Sequence, residues 1–229
     1  MIFGRNAVLE AARAGRVRRV IVADGVESDP RLSELGARLK VERVPRERVD
    51  LVAPGNNQGV AAWLRPREFV SLRSLLAASP RLLLALDGIL DPQNLGAILR
   101  SAEAAGADGV ILPERRSAPV TAAVVKASSG ASEHLRLCRV AGLASAVSDV
   151  KRAGLWCVAL DASGETRLWD FDLTQPLCLV VGGEAGLHRL VRQRCDARLR
   201  IPMGARLDSL NASAATAIAL YELTRQRNP

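Results

Sequence analysis

The chain contains no apolar run long enough to cross a bilayer. Its longest, such as Leu82–Leu86 and Leu177–Val181, fall far short of the roughly 20 residues a membrane helix needs. No apolar signal-peptide core follows the start. The arginine-rich stretch Met1–Arg19 carries Glu10, so it reads as an ordinary helix and not as a transit peptide. Cysteine is sparse: Cys138, Cys157, Cys178 and Cys195 are widely spaced, without a CxxC pair. The two histidines, His134 and His188, show no metal-ligand spacing. No metal site is therefore expected, and the thiols read as reduced residues of a cytoplasmic protein. Lysine is nearly missing, since 29 of the 32 basic residues are arginine. There is no internal repeat and no low-complexity tract.

What is present suits a globular protein. At 229 residues, 48% of them hydrophobic, the chain can bury one large core or two small ones. Its formal net charge is +8. Arginine favours bidentate phosphate contacts and stacking on bases, so a polyanionic partner fits; a GC-rich genome would also write Arg for Lys. The first 66 residues hold 12 basic and 8 acidic side chains and the remainder 20 and 16, so the excess is not confined to one tail.

Residues 1–66 predict a small α/β unit. Helices fit Asn6–Ala14 and Pro30–Lys40, and strands fit Arg19–Ala23, Val41–Val44 and Gln58–Leu64, the last ended by Pro66. Residues 67–80 form a connector with a short helix and without the Gly/Ser content of a floppy tether. From Arg81 to the end, strands and helices alternate. Strands are expected at Arg81–Asp87, Gly109–Leu112, Leu155–Leu160, Leu177–Gly182 and Leu199–Ile201. Helices are expected at Leu95–Ala105, Ala118–Ala127, Leu143–Ala153, His188–Cys195 and Leu210–Arg227. The alternation predicts a mostly parallel sheet with helices on both faces.

Three polar clusters follow hydrophobic strands, as in the sites of open α/β sheets. The first is Asp91-Pro-Gln-Asn94-Leu-Gly96 with Arg100. Asn94 is well placed to cap a helix, and Arg100 falls off the core-facing stripe of that helix. The second is Gly182-Gly183-Glu184-Ala185-Gly186-Leu187, where glycines allow a tight turn. Its spacing is neither a dinucleotide fingerprint nor a phosphate loop. The third is the run from Ile201-Pro-Met203 to Ser209-Leu210-Asn211, just before the alanine-rich last helix, which Ser209 or Asn211 could cap. Neither histidine supplies a triad for a serine nucleophile.

In order and content these clusters resemble the three motifs of the SpoU (TrmH-like) RNA 2′-O-methyltransferases of the SPOUT superfamily. The resemblance covers nearly the whole chain. It implies S-adenosyl-L-methionine as methyl donor and a ribose 2′-oxygen as nucleophile, without a metal. It implies that Arg100 contacts the ribose hydroxyl and the adjacent phosphate. An arginine stays protonated at usable pH, so orientation and charge stabilisation suit it better than proton abstraction. Asn94, Glu184, Ser209 and Asn211 would hold Arg100 and substrate by hydrogen bonds. Gly182, Ile201, Met203 and Leu210 would line the cofactor pocket. The family's Gly-x-Glu-x-x-Gly is one residue shorter here before Gly186. The resemblance further implies a trefoil knot in the C-terminal half and a homodimer.

The N-terminal unit, with Gly4-Arg5-Asn6-Ala7 and Asn57-Gln58-Gly59, resembles the L30e-like substrate-binding domain of the branch that methylates a guanosine in 23S rRNA. Arg5, Asn6 and Gln58 are its candidate RNA contacts. A tRNA target, a resistance-type rRNA methylase and a non-catalytic RNA-binding or ribosome-assembly protein are the alternatives. A nucleotide-dependent oxidoreductase is disfavoured by the missing fingerprint glycines.

Overall fold

The computed structural model describes residues 1–204 and 209–228. The first unit comprises β1 (Ile2–Phe3), α1 (Arg5–Arg13), β2 (Val17–Ala23), α2 (Pro30–Arg38), β3 (Glu42–Val44), α3 (Arg46–Val52) and β4 (Val60–Leu64). Its sheet has the order β1-β4-β2-β3. β4 pairs antiparallel with β1 and β2, and β2 pairs parallel with β3. Successive strand residues face opposite sides. Val20 and Val22 therefore join Val8, Leu9 and Leu35, while Ile21 and Ala23 meet Val49 and Ala53. α3 was absent from the expected elements, because it carries one buried residue, Val49, amid charge. Gln58 and Gly59 lie outside β4 in the left-handed region, at φ 55° and 75°.

The connector holds the expected short helix, α4 (Leu72–Ala77), and Val70 bridges the sheet edge at Cys138. There follow β5 (Leu82–Asp87), α5 (Pro92–Ala104), β6 (Gly109–Pro113), α6 (Ala122–Ala127), β7 (Leu137–Val140), α7 (Leu143–Arg152), β8 (Trp156–Leu160), β9 (Thr166–Arg167), β10 (Leu177–Gly182), α8 (Arg189–Arg194), β11 (Ala197–Arg200) and α9 (Ala212–Arg227). These seven strands form one parallel sheet in the order β7-β6-β5-β10-β8-β11-β9. β10, late in the chain, lies between β5 and β8, an interleaving that agrees with the knotted path the resemblance implies.

Both faces of the sheet are covered. Leu82, Leu84 and Leu86 of β5 pack with α5 and α9 residues such as Ile98, Leu99, Ala219 and Leu223. Leu83 and Ala85 face Val147, Val150 and Leu75. A continuously apolar strand is the signature of this double burial. α5 and α6 touch at Gly96, where a Cβ would lie 2.3 Å from that of Ala127.

Several boundaries differ from expectation for identifiable reasons. α6 starts at Ala122 rather than Ala118, because Pro119 interrupts and the Ala118 N–H donates to Ile89 O at 2.8 Å. α5 starts at Pro92 rather than Leu95, since Asp91, not Asn94, is its cap. β7 was not expected; its four residues include exposed Arg139 and show little pattern. Among the described residues no helix is long and apolar enough to cross a membrane.

Candidate active site

All strands of the large sheet point the same way, so their C-terminal ends gather on one edge. The chain moves outward from β5 to β6 and β7, then returns to β8 on the other side, with β10 filling the gap. A crevice at such a reversal is the usual ligand position of an open parallel sheet. A cavity of about 480 Å³ opens here. It is lined by Leu160 and Asp161 at the end of β8, by Val181 and Gly182 of β10 with the following loop Gly183–Leu187, and by Arg192 of α8. Ile201, Met203, Ser209, Leu210, Asn211, Ala212 and Ala215 complete it. Gly182, Glu184, Ile201, Met203, Ser209, Leu210 and Asn211, all singled out from the sequence, therefore meet at one site.

The loop after β10 is held by backbone close approach. A Cβ on Gly182 would lie 2.5 Å from Gly186 C, and one on Gly183 only 2.1 Å from Gly88 O. Gly183 N donates to Asp87 O at 2.8 Å, and Gly186 N donates to Gly183 O at 2.9 Å. Gly186 sits at φ 72°. The shortened loop thus closes as a tight turn from Gly183 to Gly186, and Gly186 still lines the cavity. Asp87, buried at the end of β5, accepts the His188 N–H at 2.6 Å and fixes the far end of the loop. Sequence reasoning passed over Asp87; its signal was an acid ending the otherwise apolar run Leu82–Leu86.

The cavity walls carry two acids, Asp161 and Glu184, and Arg192. Burial pushes the Asp161 carboxyl up. Hydrogen bonds from the Ser163 side chain and N–H, with the charges of Arg192 and Arg198, outweigh this and hold it below the ordinary value. Arg192 Nη1 stands 3.8 Å from Asp161 Oδ2, a loose pairing. Neither Asp161 nor Arg192 was identified from the sequence, because each stands alone beyond the motif residues.

Asn211 caps α9. Its Oδ1 accepts from Ser213 N at 2.8 Å and Ala214 N at 3.3 Å. Its Nδ2 donates to Asn94 Oδ1 at 2.9 Å, tying the third cluster to the first turn of α5. The expectation that Asn94 caps α5 is overturned. Asp91 takes the N–H groups of Gln93 and Asn94 at 3.1 Å each, and Pro92 occupies the first helical position, where a missing N–H costs nothing. The Asn94 side chain is thereby left for Asn211. Arg100 is on the exposed side of α5, off the cavity lining. Among the described residues its hydrogen-bond partner is Ser129 Oγ, at 3.3 Å from Nη1, rather than Asn94, Glu184, Ser209 or Asn211. The structure therefore gathers the second and third clusters at the cavity and attaches the first through Asn94, leaving Arg100 on the flank.

In the first unit, Arg5 and Gln58 are mutual partners. Arg5 N donates to Gln58 Oε1 at 2.9 Å, and Arg5 Nη1 pairs with Asp29 at 2.8 Å. Asn6 is exposed beside them. The four cysteines are free thiols. Among the described residues no group of three His, Cys, Asp or Glu could hold a metal ion.

The sequence model of the SpoU rRNA methylase family matches residues 81–221. The chain belongs to the SpoU family. A second model, for RNA 2′-O ribose methyltransferase substrate binding, matches residues 1–70. The chain is 38% identical to a protein of Staphylococcus saprophyticus described as a TrmH family tRNA/rRNA methyltransferase, over 100% of this chain and 96% of that one. The SpoU methyltransferase AviRb from Streptomyces viridochromogenes, in complex with the cofactor AdoMet, superposes with a TM-score of 0.82 at 28% identity, covering 99% of this chain and 89% of that one. An AdoMet-bound rRNA methyltransferase from Sinorhizobium meliloti gives 0.79 at 28% identity, covering 97% and 85%. This SpoU protein is thus an RNA 2′-O-ribose methyltransferase, and S-adenosyl-L-methionine is its methyl donor. The cavity fits that molecule. Its volume falls within the roughly 300–1,000 Å³ of small-molecule sites. Leu160, Val181, Ile201 and Leu210 could give a purine apolar walls, and the Gly182–Gly186 backbone could give polar groups, beside Asp161 and Arg192.

Proposed function

We propose that this SpoU enzyme methylates the ribose 2′-hydroxyl of a guanosine in 23S rRNA, with Arg100, Asn94, Glu184, Ser209 and Asn211 as its working side chains. The observation that carries the site is the Asn211–Asn94 hydrogen bond of 2.9 Å. It fastens the cavity rim to the helix that bears Arg100, which supports a ribose bound beside the cavity and reached from that helix. S-adenosyl-L-methionine supplies an electrophilic methyl group. The protein's task is to orient the hydroxyl and to offset the negative charge that grows as its proton leaves. Arg100 is exposed and cationic, suited to the oxygen and a neighbouring phosphate at once. Ser209 and Glu184 stand on the cavity side, where the carboxylate can accept from the nucleoside and the hydroxyl can accept or donate.

RNA binding is supported by the substrate-binding match over residues 1–70, and the rRNA target by the likeness to the Sinorhizobium meliloti rRNA methyltransferase over 97% of this chain and 85% of that one. Asn6, with Arg5 and Gln58, marks the edge of that unit offered to RNA. The enzyme acts in the cytoplasm as a homodimer. The dimer is supported by an exposed stripe of Ala214, Ala217 and Tyr221 on α9, the last 74% exposed, at the spacing of one helix face.

Methyl transfer from labelled S-adenosyl-L-methionine to 23S rRNA and tRNA transcripts, with mapping of ribose methylation, tests the proposal. One labelled guanosine in 23S rRNA is expected, and label in tRNA would overturn the substrate. Arg100→Ala is expected to lower the rate at least a hundredfold, the scale on which a lost oxyanion-type contact acts, with cofactor binding by calorimetry unchanged. A wild-type rate would remove Arg100 from the chemistry.

A further inference from the structure

The turn Ser128–His134, between α6 and β7, is gripped from the N-terminal unit and also touches Arg100. Ser129 adopts φ 52°, a left-handed conformation that glycine or asparagine fills at lower cost. It sits just past the end of α6, where glycine is the common choice. Serine in that place goes against local preference, and its hydroxyl is what Arg100 Nη1 contacts, at 3.3 Å.

The rest of the turn is locked. Gly130, at φ 89°, lies so close to α1 that a Cβ would stand 2.4 Å from that of Glu10. The His134 ring Nε2 meets Glu10 Oε2 at 2.7 Å. Glu133, with no exposed side-chain area, pairs with Arg16 at 3.1 Å and with Arg67 of the connector. Buried Ser128 donates its hydroxyl to Val125 O at 3.0 Å, accepts the Ser132 N–H at 3.3 Å and lies 3.1 Å from the Ser132 hydroxyl. The turn cannot shift without disturbing α1, the connector or α6.

We infer that Ser129 is a positioning residue for Arg100, and that the turn Ser128–His134 transmits the seating of the substrate-binding unit to that arginine. The inference rests on the proposed role of Arg100. A helix stop alone would be better served by glycine; a hydroxyl there, on a turn clamped by the RNA-binding unit, restricts where the guanidinium points. RNA held by the first unit then meets an arginine whose direction that same unit has set.

Ser129→Gly separates the two roles. It relieves the strained φ and removes the hydroxyl. Thermal stability is expected to hold or rise, while kcat on the methyl-accepting transcript falls several-fold, up to about tenfold, as one lost hydrogen bond would give. KM for the cofactor should not change. Ser129→Asn, which tolerates the conformation and restores an acceptor, should recover most of the loss. The Arg100 Nε–H resonance in 15N spectra of the free protein, assigned with Arg100→Lys, gives a reading without RNA. It is expected to shift in Ser129→Gly and also in the distant Glu10→Ala. Wild-type kcat in Ser129→Gly, or an unmoved Arg100 resonance, would overturn the inference. If Arg100→Ala itself were fully active, the proposed site would fail instead, so the two failures are distinguishable.

Discussion

A single added methyl group tests the cofactor loop. Gly183→Ala would place a Cβ 2.1 Å from the Gly88 carbonyl oxygen, a backbone atom that cannot swing aside. One strand end must move. The expected cost is about 1–3 kcal/mol of stability by overpacking, seen in a denaturant titration, with cofactor affinity falling at least tenfold by calorimetry. Gly186→Ala meets open space and pays only for its φ of 72°, roughly 1–2 kcal/mol, so its cofactor affinity should be reduced less. Equal losses in the two variants would show that close approach at Gly183 does not shape the cavity. These residues stood out in the sequence as glycines after a buried strand. What they touch did not, because Gly88 is 95 residues away in the chain and meets Gly183 only once β5 and β10 pair.

At the scale of elements, helix ends decide which side chains are left for the site. Asp91 takes two N–H groups at the start of α5. Asp91→Ala should therefore cost about 1 kcal/mol, read as a lower melting temperature, and should free Asn94 to cap in its place. The Asn94–Asn211 bond would then weaken and methyl transfer would fall more than the stability change suggests; unchanged transfer would show that bond to be dispensable. Most elements were legible because their signals are local: the apolar run of β5, the Leu95, Ile98, Leu99 and Ala102 face of α5, and the polar residues before α9. α3 and β7 were not, since one has a lone buried valine and the other takes its place from partners far along the chain. The cavity residues were legible as motifs with a family resemblance. The separation of Arg100 from them and its contact with Ser129 were not, because both follow from the packing of α5 on α6 through Gly96.

At the scale of the whole molecule, the two units and their connector converge on Glu133. Burial pushes the Arg67 guanidinium below its ordinary value even beside this carboxylate, so the charge is retained at a desolvation cost. Glu133→Ala would strand Arg16 and Arg67 and should cost about 3–5 kcal/mol; a loss under 1 kcal/mol would mean that water reaches the cluster. Acid should act more broadly. Hydrogen bonds from Arg13 and Arg38 hold Glu34 down at about 2, and those from Arg225 and Gln226 hold Glu222 at about 2. A depressed carboxylate lends its stability above the unfolded value and loses it as pH falls through the folded one. Melting temperature should therefore be flat near neutrality and decline from the ordinary carboxylate range down toward pH 2, more steeply at low salt; no decline would refute these pairings. The placement of β10 has a further consequence, for synthesis. Until residues 177–182 leave the ribosome, β5 lacks the neighbour that separates it from β8, and β8, once made, lacks that neighbour too, so a nascent chain carries open, apolar strand edges. Such edges invite pairing with other chains. Translation arrested anywhere between residues 87 and 177 would thus release a product that aggregates rather than a smaller working enzyme, and chaperone demand should be greatest over that interval.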